Sequence, residues 1–439
     1  LQKVGLQILE TLRVYQSIAY RNAVAQCLTL LEELEFQEVD KIFSSYPHQL
    51  SGGQKQRIMI AQAIVTHPQL LICDEPTTAL DPTIQKSILD LLSALHQKYK
   101  MAILLISHDL GVIYNYSDKL YVIEQGRILE SGDTNSIFSN PQEPITQKMF
   151  RLLSWKVNLA SPPSASLSEN AKNTNVIVCK NVSFSYQEKM GLFGKRRISR
   201  HILNNISFSL PPGQILGIIG ESGSGKSTLA KVLLRLFPCN TGEIYWLGKN
   251  VTNAKEEKLK TLRKNYQMVF QDPYASLNPY QKIKEILTEP LRYHHLTKDK
   301  KEALQAATQI LEKVGLNSTF LERYPAQLSG GQRQRICIAR ALLFNPKVLI
   351  CDEAITALDI QMQKQILDLL LQIYKEREFA IIFISHDFEV VQRFCHYVIV
   401  MHKGTIIETG IASEVILHPQ TAYTQNLVKA ILPTPFLHF

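Results

Sequence analysis

Gly220-Glu-Ser-Gly-Ser-Gly-Lys-Ser-Thr228 reads GESGSGKST and fits the pattern G-x-x-x-x-G-K-[ST]. Before it runs ILGIIG, Ile215 to Gly220, an unbroken apolar stretch of the kind buried on both faces of a parallel sheet. After it comes the helix-period segment STLAKVLLRLF. Strand, glycine loop and helix give the pattern its physical meaning. Glycines let the backbone curl until its N–H groups converge on phosphate oxygens, and the helix points the positive end of its dipole at them. Gly220, Glu221, Ser222, Gly223, Ser224, Gly225, Lys226, Ser227 and Thr228 are therefore read as a nucleotide-phosphate loop. Lys226 is expected to reach the β- and γ-phosphates, and Ser227 to offer its hydroxyl to Mg²⁺.

The rest of a hydrolytic site is spaced along the chain. VLICDE places Asp352 and Glu353 at the end of a second buried strand. An aspartate there suits the Mg²⁺ shell, and the following glutamate is placed to polarise a water for attack on the γ-phosphate. His386 follows a third apolar strand and is read as a hydrogen-bonding partner of the γ-phosphate or the water. Gln271, after MVF, is expected to touch Mg²⁺ or its water. Tyr186, one hairpin upstream of the loop, is read as a ring that stacks on adenine. Alternating strands and helices point to an α/β fold with a mainly parallel sheet. VIVCKNVSFSY, ILNNISFSL and GEIYWLG read as strands of an additional antiparallel sheet. The stretch from Glu285 to Gly315 reads as helical, with a break at Pro290.

Much of this pattern is written twice. YPHQLSGGQKQR (Tyr46 to Arg57) and YPAQLSGGQRQR (Tyr324 to Arg335) lie 278 positions apart (324 − 46). The same spacing relates Asp74-Glu75 to Asp352-Glu353, His108 to His386, and Gly126 to Gly404. Gln2, Lys3, Glu10, Leu12 and Arg13 match Gln281, Lys282, Glu289, Leu291 and Arg292 at a spacing one residue longer. The counterpart of Lys226 would fall before Leu1. The first copy is therefore expected to be a partial cassette through a truncation, split gene or misplaced start, because Asp74, Glu75, Asp81 and His108 keep the active pattern. The expected organisation is a partial cassette at 1–156, a Ser/Pro/Asn-rich linker at 157–175, and a complete cassette at 176–439.

SGGQ is a Ser-Gly-Gly turn opening a helix, a second anion trap with free N–H groups and a hydroxyl. It comprises Ser51, Gly52, Gly53 and Gln54 in the first copy, and Ser329, Gly330, Gly331 and Gln332 in the second. With this loop, the DE pairs, an ALD segment and the histidine, the chain resembles the ATP-binding-cassette (ABC) ATPases over essentially its whole length outside the linker. The resemblance implies a P-loop NTPase fold with an antiparallel β subdomain and a helical signature subdomain. It also implies ATP and Mg²⁺ as ligands, and head-to-tail pairing of cassettes within or between chains. In such a pairing Ser51 to Gln54, with Asp81, would close over the nucleotide of the second copy. Ala354 and Ile355 depart from the family's usual Pro-Thr, which Pro76 and Thr77 keep.

FQDPYASLNP, RYPAQLSGGQRQRICIARAL and the tail HPQTAYTQNLVKAILP resemble the peptide-importer group of that family, including its glutathione and microcin-C type. That resemblance implies an ATPase at the cytoplasmic face of a bacterial inner membrane, membrane-spanning permease partners and a periplasmic binding protein. Composition agrees with a globular protein, being 45% hydrophobic and 20% charged. No apolar run approaches the ~18 residues of a membrane helix, and the charged opening LQKVGLQILETLRVYQ is not read as a secretory leader. Seven scattered cysteines read as reduced thiols, with Cys73 and Cys351 buried beside the carboxylate pairs. The net charge of +9 peaks in KMGLFGKRRISR, Lys189 to Arg200, read as a solvated hairpin tip or a surface for lipid headgroups or a partner. No nucleic-acid-binding signature accompanies it, so nucleic acid is not expected. Two alternatives stay open at this point: a twin-cassette factor acting on ribosomes or DNA, and a non-catalytic remnant.

Overall fold

The computed structural model describes residues 2–77, 80–153, 175–190, 196–355, 358, 360–377 and 379–433. The linker reading, apart from Asn175, lies outside the described residues, as do the tip 191–195 of the basic hairpin and Asp359 of the second ALD segment. The chain forms two compact units, Leu1–Phe150 with Lys429–His438, and Arg151–Val428 with Phe439.

Among the described residues the first unit has two small sheets. β1 (Leu70–Asp74) and β2 (Ala102–Ile106) pair in parallel, and β3 (Lys119–Glu124) and β4 (Arg127–Asp133) form an antiparallel hairpin. Its core gathers Ile8, Leu12, Leu31, Leu34, Ile64 and Ile88 from the surrounding helices, all at most 1% exposed.

The second unit starts with an antiparallel pair, β5 (Ile177–Met190) and β6 (Arg196–Leu210). Then follow β7 (Ile215–Ile219), β8 (Thr241–Trp246), β9 (Lys249–Asn250), β10 (Tyr266–Val269), β11 (Val348–Asp352), β12 (Ala380–Ile384), β13 (Tyr397–His402) and β14 (Thr405–Ile411). The main sheet runs in the order β10-β11-β12-β7-β13-β14, all parallel except the β13–β14 edge. The antiparallel sheet runs β6-β5-β8-β9. β7 is apolar on both faces and buried at every residue, as expected of a strand with a parallel neighbour on each side. Trp246 closes the core between the two sheets. It stacks on Tyr266 at 4.4 Å and donates from its indole N–H to the Leu233 carbonyl at 3.0 Å. Helices Ile283–Tyr293, Lys300–Lys313 and Gly330–Leu342 supply the helical part.

Pro290 corrects one expectation. It lies inside the continuous helix Ile283–Tyr293, and the chain turns only at His294–Leu296. A proline one turn before a helix end removes a single N–H bond, which the packing of Ile286, Leu287 and Leu291 offsets. The duplication survives in detail: β3–β4 and β13–β14 carry the same irregularity, between Val122 and Ile123 and between Val400 and Met401. Among the described residues no helix is long and apolar enough to cross a membrane.

Candidate nucleotide site

The glycine loop leaves β7 with β12 on one side of that strand and β13 on the other. Gly220 has φ +145°, and a Cβ there would stand 2.2 Å from the Met401 carbonyl oxygen, so only glycine fits so close to the β13 backbone. The loop ends in helix Lys226–Leu233, whose N-terminus opens on the loop. Lys226 is 5% exposed, and its Nζ donates to the carbonyls of Gly220 at 2.7 Å and Glu221 at 2.8 Å. Ser227 Oγ donates to Asp352 Oδ1 at 2.9 Å, joining the loop to the end of β11. The hydroxyl of Ser224 is buried with no hydrogen-bond partner among the described residues.

Glu353 is the next residue, with φ 46°, an uncommon conformation for a side chain of its size. Its N–H donates to the Ile384 carbonyl at 3.0 Å, which fixes the turn against β12. Gln271 Nε2 donates to Glu353 Oε2 at 2.7 Å, and His386 hydrogen-bonds the same carboxylate. Burial pushes the Glu353 carboxyl up, but His386, Lys226 and Gln271 together hold it below its ordinary value. Asp352 moves the other way. Burial raises it and the Glu353 charge adds to that, against the opposing pull of Ser227, Lys231 and Lys226. One carboxylate is thus kept ionised by cationic and amide donors while its neighbour is desolvated.

The structure brings Lys226, Ser227, Asp352, Glu353, Gln271 and His386 into one cluster. Gln271 contacts Glu353 rather than the Ser227–Asp352 pair. Tyr186 packs its half-buried ring edge-on against Phe184 at 4.9 Å and Phe237 at 5.7 Å. Thr228 lies in the first turn of the loop helix. Cys351 is fully buried in β11 and its thiol is pushed up to about 12; Cys73 in β1 is pushed to about 11, by burial in each case. Ala354 and Ile355 are buried.

Each SGGQ segment is a capped helix start. Ser329 Oγ accepts from the Gln332 N–H at 3.3 Å while Gln332 Oε1 accepts from the Ser329 N–H at 3.1 Å. Ser51 and Gln54 repeat this at 3.3 and 3.0 Å. Both loops present a reciprocal box that satisfies two orphan donors. In the first unit His108 Nδ1 lies 2.9 Å from Glu75 Oε1, Glu75 repeats the φ of 46°, and Asp81 caps helix Pro82–Tyr99 through the Ile84 N–H at 3.0 Å. Asp74 ends β1.

Arg333 was not legible as a site residue. It is 8% exposed, donates from Nε to the Pro325 carbonyl at 2.7 Å and lies 3.8 Å over the Tyr274 ring. It thereby ties the turn before Ser329 to the segment after Gln271. Its place in QRQR carried no signal of that partner.

The ABC transporter family model matches residues 2–78 and 203–356. The chain belongs to the ABC transporter family. It is 42% identical over 446 residues to the glutathione import ATP-binding protein GsiA of Salmonella paratyphi A, covering 98% of this chain and 71% of that protein. The protein of the same name from Shigella dysenteriae serotype 1 is 40% identical over the same shares. A solved ATP-binding cassette, in a dimeric post-hydrolysis state bound to ADP and Pi, is 29% identical; it covers 54% of this chain and 98% of its own, with a TM-score of 0.48. As a member of this family the chain is an ATPase and its cofactor is ATP. The residues present fit both ligands. Lys226 and the orphaned Ser224 hydroxyl suit phosphate, and the oxygen-only pair of Ser227 and Asp352 suits Mg²⁺.

Proposed function

We infer that the second unit carries the hydrolytic site and that the chain energises import of peptide-like substrates of the glutathione class through membrane-spanning permease subunits. The observation that carries the site assignment is the Gln271–Glu353–His386 cluster beside Lys226 and the Ser227–Asp352 pair. Bound Mg·ATP supplies the anhydride bond to be broken. Lys226 offsets phosphate charge from a buried position, where a cation acts most strongly. Ser227 and Asp352 would hold the Mg²⁺ that accompanies the nucleotide. Glu353, held as a carboxylate, takes up a proton from the attacking water, and Gln271 and His386 keep that carboxylate aimed. Tyr186 is proposed as the adenine platform. Ser51 and Ser329 bond within their own turns, and each is proposed to close on nucleotide held by another cassette. The substrate class rests on the printed name of relatives more than 40% identical. Attachment at the cytoplasmic face of the inner membrane and an indirect periplasmic partner follow from that class.

The test is Lys226→Ala in the full chain. Mg·ATP affinity should fall about a hundredfold, since a buried cation on the phosphates is lost. Parental affinity in that variant would overturn the site. Glutathione uptake by vesicles holding the permease, unchanged by removing this chain, would overturn the transport reading.

A further inference from the structure

The geometry points to Tyr423, in the C-terminal tail, as a positioning residue that holds the phosphate loop from outside. It rests on the reading of that loop as the ATP site. The Tyr423 hydroxyl accepts a hydrogen bond from the Glu221 N–H at 3.2 Å, on the limb of the loop that leaves β7. Its ring packs on His402 with centroids 4.1 Å apart. His402 ends β13, and the turn after it makes the second hold on the loop, where the Gly404 N–H donates to the Ser224 carbonyl at 3.0 Å. Two anchors thus grip the loop, one at Ser224 and one at Glu221, and the tilted His402–Tyr423 ring contact joins them.

Tyr423 is itself held. The turn before it is fastened to β14 by Glu408, whose oxygens accept from the Gln420 N–H at 2.8 Å, the Thr421 N–H at 3.2 Å and the Thr421 hydroxyl at 2.9 Å. The first unit keeps this fastening: Glu130 accepts from the N–H groups of Gln142 at 2.8 Å and Glu143 at 3.3 Å. What changes is the tip. The counterparts of His402 and Tyr423 at the common spacing are Glu124 and Ile145, which supply neither the ring contact nor a hydroxyl. The Glu fastening therefore recurs in both copies, whereas the tyrosine hydroxyl at the tip belongs to the second. A fixed loop presents its N–H groups already converged, so nucleotide binding need not order it.

The experiment uses the full chain with Tyr423→Phe, which keeps the ring and removes the hydroxyl, and Tyr423→Ile, which installs the residue of the first copy. Mg·ATP affinity by calorimetry should weaken about fivefold in Y423F, the size of one lost hydrogen bond, with kcat at saturating ATP unchanged. Amide exchange at Glu221 should speed up about tenfold while β11 and β12 exchange as in the parent. Y423I should exceed Y423F in both, because it also loses the ring contact with His402. Parental affinity and parental exchange at Glu221 in Y423F would overturn the assignment. So would an affinity loss accompanied by faster exchange throughout the second unit, which would mark a structural residue. If the parent chain bound no Mg·ATP, the nucleotide reading would fall, while exchange at Glu221 would still decide whether Tyr423 holds the loop.

Discussion

β1 and β11 are nearly the same strand, LLICD and VLICD, yet their surroundings differ completely. In β11 every residue is buried. In β1 burial alternates, with Leu70 51% and Ile72 60% exposed. β2 and β12 repeat the contrast, Ile106 being 46% exposed where Ile384 is 0%. The cause is the neighbour. β12 is paired with β7 as well as β11, and β7 is paired in turn with β13. Among the described residues β2 pairs with β1 alone, and β3–β4 stands as its own hairpin. An apolar strand thus specifies that it can be buried on two faces; its partners decide whether it is. The Glu–His pair shows the same effect in chemistry. Glu353 is largely enclosed and held by Gln271 and His386, whereas the side chains of His108 and Glu75 are 52% and 44% exposed.

That difference is tested most strongly by Glu353→Gln against Glu75→Gln. The first should lower ATP turnover about a thousandfold with Mg·ATP binding retained, because the proton-accepting carboxylate is lost and the phosphate-binding groups stay. The second should change turnover less than about twofold, since an exposed pair shapes little of its surroundings. Steady-state hydrolysis by the two variants decides it. Equal losses would mean that the two carboxylates serve equivalent sites.

The same contrast applies to stability. Ile350→Ser buries a hydroxyl in a dry strand and leaves a cavity, and should destabilise the second unit by about 3 kcal/mol. Ile72→Ser exchanges an exposed apolar side chain for a polar one and should stay within about 0.5 kcal/mol. Because two units need not unfold together, the measurement is amide exchange resolved by unit rather than a single melting curve. A loss at Ile72 as large as that at Ile350 would show that β1 is covered in solution.

Much of this was legible in the residues. The strand–loop–helix of β7, the DE pairs and the duplication rest on local pattern and fixed spacing, and local pattern survives without knowledge of neighbours. The break expected at Pro290 does not occur, because a proline's effect depends on how close it lies to the helix end and on the packing around it. Arg333 over Tyr274, and Tyr423 beneath Glu221, join residues 59 and 202 positions apart (333 − 274 and 423 − 221). A stacking or hydroxyl partner leaves no periodic mark in a sequence, so only the fold could reveal it.

The smallest test separates the two signature helices. The second glycine of each SGGQ faces the helix that follows the DE strand. A Cβ at Gly53 would stand 2.7 Å from Ile84 Cγ2, and one at Gly331 would stand 2.8 Å from Met362 Sδ. The distances are nearly equal, but the obstacles are not. Ile84 Cγ2 is fixed directly on Cβ of a β-branched residue in the first turn of a helix capped by Asp81, and it cannot swing aside without an unfavourable rotamer. Met362 is unbranched, and its sulfur can rotate away at little cost. In both positions alanine is otherwise the better helix former, by up to ~1 kcal/mol. Gly53→Ala should therefore destabilise its unit by about 1 kcal/mol, overpacking outweighing propensity. Gly331→Ala should be neutral or stabilising by a few tenths of a kcal/mol, roughly the helix gain less a rotamer change. Nucleotide-free amide exchange in helices Pro82–Tyr99 and Ile360–Arg377 reads each unit separately. If Gly331→Ala proved the more damaging of the two, methionine plasticity would not account for the contact, and the packing beneath the second signature would be the more rigid.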